Sequence, residues 1–102
     1  MYFASKSLTQ DYGDWTSVTF DFNAQLPIGR YEIQLLMTCA PGTSISWIGV
    51  RHKIDIDVNV SPKRFTLFCG YANITAPITS ITEQIAGFKS GMYLEFQYRK
   101  IW

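Results

Sequence analysis

Histidine is almost missing from this chain: His52 is the only one among 102 residues, and cysteine occurs twice, at Cys39 and Cys69. One imidazole and two thiols without Cys-x-x-Cys spacing make no ordinary zinc site, so no metal or other cofactor is expected. Arg51 and Lys53 flank His52, and adjacent cations disfavour the proton uptake that a general base needs. There is no Gly-rich phosphate loop and no Gly-x-Ser-x-Gly elbow, which removes the common nucleotide and esterase signatures. The chain reads as non-enzymatic.

Excess charge of one sign is also lacking. Nine basic residues against eight acidic ones leave a formal charge of +1. Phosphate-backbone binding needs many cations acting together, so nucleic acid is not an expected partner. Weak self-repulsion suits a chain that associates with its own copies or with a scaffold. Apolar runs such as 47–50 are too short to cross a bilayer, and Met1 to Lys6 do not form a basic segment leading into an apolar one. The expectation is a protein without a signal peptide or membrane insertion, made in a cytoplasm.

What the chain does have is aromatic side chains: seven Phe, six Tyr and three Trp. With 47% hydrophobic residues it can build one core, and 102 residues suit a single domain. Period-two alternation runs through Val18-Phe20-Phe22, Tyr31-Ile33-Leu35-Met37-Cys39, Ile54-Ile56-Val58-Val60, Phe65-Leu67-Cys69 and the aromatic run 93–101. Such strands bury one face and wet the other, as antiparallel sheets do. Turn residues at Pro27-Ile28-Gly29, Pro41-Gly42, Ser61-Pro62 and Gly91 separate them. Within 78–88 the spacing of Ile78, Ile81, Ile85 and Phe88, with Ser80 and Glu83 as a capping box, would suit a short helix. Pro77 and the β-branched residues favour a strand over about Ile78 to Ala86. The fold class expected is all-β, an antiparallel β-sandwich of jelly-roll type with about seven or eight strands. It spans 1–102, with 1–14 as an extended N-terminal arm.

The order of these segments resembles a known group. Val18-Thr-Phe-Asp-Phe leading through Leu26-Pro-Ile-Gly-Arg-Tyr into a long core strand is similar to the opening of jelly-roll carbohydrate-binding modules of the galactose-binding-like type. The segments 61–68 and 90–98 look like their later strands. Modules of this kind occur in glycan-active enzymes and in fibre, baseplate and other virion proteins of tailed bacteriophages. The resemblance covers roughly 15–101 through turn and core patterns of low specificity, so it implies a fold more than a function. It implies a structural virion component, a decoration, fibre or tail-associated protein, whose partners are itself and other virion proteins. The alternative is a module or adhesin that recognises a cell-surface glycan.

Candidate residues follow. Trp47, Arg51 and His52, beside a turn-rich segment, are the candidate ligand-binding residues, since indoles stack on sugars and strand ends collect binding groups. Tyr93, Tyr98 and Trp102 are the candidate interface, since the last strand carries rings on both parities. Asp55 and Asp57 share a strand face, which a solvated edge explains better than a hydrolytic carboxylate pair. Asp11-Tyr12-Gly13-Asp14 resembles part of a calcium loop but lacks its further regularly spaced oxygens, which leaves a structural calcium as a minor alternative. Asn73-Ile74-Thr75 fits the glycosylation pattern, read as incidental without a signal peptide. Cys39 and Cys69 are expected to be buried free thiols.

Overall fold

A computed structural model describes residues 1–38, 48–51 and 64–102. The strand expected over residues 53–60, with Asp55 and Asp57, lies outside the described residues, as does Cys39. The described chain is all-β. Its strands are β1 (Tyr2–Ser7), β2 (Thr16–Leu26), β3 (Gly29–Thr38), β4 (Gly49–Val50), β5 (Arg64–Ile74), β6 (Ile78–Ala86) and β7 (Tyr93–Lys100). They form one curled antiparallel sheet in the order β4-β6-β2-β1-β7-β3-β5.

The pairing is nested from the termini inward. The first strand lies against the last, β1 on β7, and the second against the next to last, β2 on β6. The segment expected to be an N-terminal arm therefore contains a central strand, β1, hydrogen-bonded on both edges. Its brevity and mixed pattern hid it: of Tyr2, Ala4 and Lys6, which share one parity, only Ala4 is fully buried. Residues 78–86 form a strand, β6, over the bounds expected. Their β-branched side chains pack against β2, and that tertiary gain outweighs the helical spacing.

Alternation sets the core. Val18 and Phe20 of β2, Tyr31, Ile33, Leu35 and Met37 of β3, Ile85 of β6 and Leu94, Phe96 and Tyr98 of β7 join a single apolar cluster. Ala4 is the register partner of both Phe22 and Phe96. Its small side chain leaves room for rings from the flanking strands to meet across β1. Phe20 meets Phe96 edge-on at 5.1 Å, and Phe22 meets Tyr98 edge-on at 5.1 Å. Such pairs add about 0.5–1.5 kcal/mol each beyond the area they bury.

The turn between β2 and β3 is held from inside: the Tyr31 hydroxyl donates to the Pro27 carbonyl at 2.6 Å. Gly29 follows because the space is taken. A Cβ there would stand 2.6 Å from Cε of Lys100 and 3.0 Å from the Trp102 carbonyl oxygen. At the opposite end, Asp11 accepts the Ser90 N–H at 2.9 Å and Asp14 accepts the Trp15 N–H at 2.8 Å. Both aspartates thus act as turn anchors. Among the described residues no group of three or more His, Cys, Asp or Glu could hold a metal ion.

Candidate functional site on the outer face of β5, β3 and β7

One local irregularity builds this face. Gly70 has φ 112°, and the β3–β5 register slips there: Ile33 faces Gly70 while Gln34 faces Phe68. The extra residue is a β-bulge, which inverts the alternation of β5 beyond it. Strict alternation would send Phe68 and Tyr71 to opposite faces. The bulge turns both outward, where they meet edge-on at 5.4 Å, 52% and 43% exposed. Arg30 lies over the Tyr71 ring at 5.1 Å and donates to the Asn73 side-chain oxygen at 3.0 Å.

Polar side chains stand in register beside these rings. Tyr71 pairs with Glu32 and Glu32 with Arg99; Phe68 pairs with Gln34 and Gln34 with Gln97. Arg99 Nη2 donates to Glu32 Oε2 at 2.8 Å, and Gln34 Nε2 to Glu32 Oε1 at 3.3 Å. Glu95 accepts from Gln97 Nε2 at 2.7 Å and from the Tyr93 hydroxyl at 2.6 Å. Burial, followed by the bond to Glu95, raises the Tyr93 pKa. Met1, Glu32, Gln34, Gln97 and Arg99 line an open groove of about 210 Å³. The ladder fixes each side chain before any ligand arrives, so little rotamer entropy is left to lose on binding.

Of the residues picked from sequence, Tyr93 joins this face through Glu95 and Arg51 does not. Trp47 and His52 lie outside the described residues. Arg51 is exposed, with its guanidinium 3.7 Å from the Trp15 ring centroid and its N–H donating to the Gln84 carbonyl. It follows β4, at the far end of the strand order from β5, and does not join the groove. Of the candidate interface residues, Trp102 is 88% exposed and Tyr93 is half-buried on the outer face. Tyr98 is a correction: at 1% exposure it packs in the core against Phe22 and Tyr31, out of reach of a second subunit. It shares the inward parity of Leu94 and Phe96.

On the inner side Glu83 escaped the sequence reading, whereas Cys69 is the buried free thiol expected. Glu83, a capping residue only in the helical alternative for 78–88, faces inward at 2% exposure between Ile81 and Ile85, opposite Val18. Its charge and, more strongly, burial raise the pKa of Tyr98. Cys69 is a buried free thiol, pushed up to about 11 by burial first and by Glu83 second. Such a thiol stays protonated and unreactive at neutral pH.

Comparison with protein-family models, with curated proteins and with solved structures finds no match.

Proposed function

We propose that the chain is a non-enzymatic structural component of a virion, a decoration, fibre or tail-associated protein that works through contacts between its own copies and with neighbouring virion proteins. The observation that carries this is an apolar patch at one end of the molecule. Ile28, Ile101 and Trp102 are 58%, 40% and 88% exposed. Backbone bonds tie the last two residues to Arg30, two positions after Ile28: the Ile101 N–H donates to the Arg30 carbonyl, and the Arg30 N–H to the Trp102 carbonyl. An exposed indole near two exposed branched aliphatic residues has the make-up of an interface anchor.

The architecture we propose beneath it is a jelly-roll sandwich. The nested strand order supports this reading, because it divides at β1–β2 into β1-β7-β3-β5 and β2-β6-β4, as two interleaved Greek keys would. The likeness of the strand and turn sequences to jelly-roll modules of phage particles supports the virion setting.

Light scattering over a concentration series tests the proposal. The intact chain should form a defined oligomer, and Trp102→Ala with Ile28→Lys should dissociate it while leaving the circular dichroism unchanged. A monomer at every concentration, alone and with candidate virion partners, would reject it. A second reading, recognition of a surface glycan, is favoured by the groove on the outer face.

A further inference from the structure

The geometry points to the outer face of β5, β3 and β7 as a binding site for a neutral oligosaccharide, with Phe68 as the stacking ring and Gln34, Gln97 and Arg99 as the hydroxyl-reading groups. The inference rests on the glycan reading and gives it a site that Arg51 does not join, Trp47 and His52 lying outside the described residues.

Three observations converge on that ligand chemistry. The first is the hydrogen-bonding pattern the groove offers. Carboxylates hold both amide nitrogens, Gln34 on Glu32 and Gln97 on Glu95. Each amide is thereby turned so that its carbonyl oxygen remains to accept. Arg99 spends Nη2 on Glu32 and keeps further N–H donors on a side chain 58% exposed. Acceptors on two amides beside a guanidinium donor suit a group that both donates and accepts. A vicinal diol does so with two neighbouring oxygens.

The second is charge. Two carboxylates, Glu32 and Glu95, face two guanidinium groups, Arg30 and Arg99, so the ladder is balanced. A phosphate, a sulfated glycan or a nucleic acid would find no net attraction. The third is the shelf beside the polar columns. Adjacent strands stand about 4.8 Å apart, so the ring column and the two polar columns span roughly 10 Å. Arg30 covers one side of Tyr71, whereas Phe68, half exposed beside Gln34 on the side away from Gln97, offers its ring at the margin of the groove. A molecule with an apolar C–H face and a rim of hydroxyls meets both the ring and the amides. A pyranose is such a molecule.

A panel of neutral hexose and N-acetylhexosamine oligosaccharides, followed by calorimetry on any that bind, is the test. At least one should bind with an affinity insensitive to salt between low and physiological ionic strength. Phe68→Ala and Gln97→Leu should each weaken it by about tenfold or more, with folding unchanged because both side chains face outward. Trp102→Ala should leave it intact. If neither neutral nor sulfated glycans bind, the glycan reading fails along with the site; if only sulfated glycans bind, the neutral-sugar site is wrong and the glycan reading stands. If sugars bind equally to Phe68→Ala and Gln97→Leu, the site is wrong and the glycan reading stands. The oligomer measurement is independent of all these outcomes.

Discussion

The outer faces of the two halves of the sheet differ sharply although the same alternation makes both. On β2 and β6 the outward positions are short apart from Gln84: Ser17 pairs with Gln84, Thr19 with Thr82 and Asp21 with Ser80. The hydroxyls of Thr19 and Thr82 lie 3.4 Å apart. Such a surface satisfies itself and water, and the ring at its margin, Trp15, has the Arg51 guanidinium 3.7 Å from its centroid. On β3, β7 and β5 the outward side chains are long and planar: Glu32, Gln34, Glu95, Gln97 and Arg99, with Phe68 and Tyr71 alongside. Planar groups in register brace one another, leave a groove, and hold donors and acceptors at fixed places. Solvation needs only the first kind of face. The second kind carries more order than solvation requires, and a binding role is argued from that difference.

The largest expected effect concerns what the halves share. Phe20 of β2 and Phe96 of β7 meet in the core, both fully buried. Phe96→Ala should destabilise by about 3–5 kcal/mol in urea denaturation, while Phe68→Ala on the outer face should lose less than about 1 kcal/mol. Equal losses would mean that the inner and outer rings of the β5-β3-β7 half had been assigned to the wrong sides.

A smaller effect isolates the device that makes the halves unlike. Gly70→Ala places a Cβ at φ 112°, a strain of about 1–3 kcal/mol unless the bulge rearranges. The variant should melt lower, and nuclear Overhauser contacts between the Phe68 and Tyr71 rings should weaken. A variant with full stability and an intact ring pair would show that the bulge does not depend on glycine.

The gentlest effect is confined to alkaline pH. Cys69 is pushed from 9.0 up to about 11, and the Tyr98 hydroxyl is raised as well, burial being the main cause of both. The folded state therefore keeps protons that the unfolded chain gives up. This stabilisation is complete below pH 9, fades as pH rises towards 11, and leaves neutral stability untouched. Denaturation midpoints should stay level to about pH 9 and then fall, and Cys69→Ala should flatten the first part of that fall. A midpoint rising above pH 9 would contradict the inward placement of both groups.

Strand identity was legible because period-two alternation is a local property. The inward rings and aliphatics of β2, β3 and β7 follow it, and the β-branched run of β6 was readable for the same reason. The groove was less legible. Glu32 and Gln34 were recognisable as the wet parity of β3, but their meeting with Gln97 and Arg99 depends on β7 lying beside β3. Gly70 inside a strand pattern was the one available clue to the bulge. Alternation puts Glu83 on the parity of Ile81 and Ile85, but with Ile78 on the other parity nothing local decided which face of β6 is buried.

By itself, then, the sequence determined that this protein is all-β, which side chains alternate along most strands, and where the turn at Pro27 to Gly29 falls, since propensity and turn chemistry act between near neighbours. Only the tertiary structure decided that Tyr2–Ser7 is a central strand, that Tyr98 is core, and that Phe68 and Tyr71 share a face. Those outcomes depend on which strands pair and in which register. Pairing is settled by burying rings from β1, β2, β3 and β7 together, a gain that no segment holds alone.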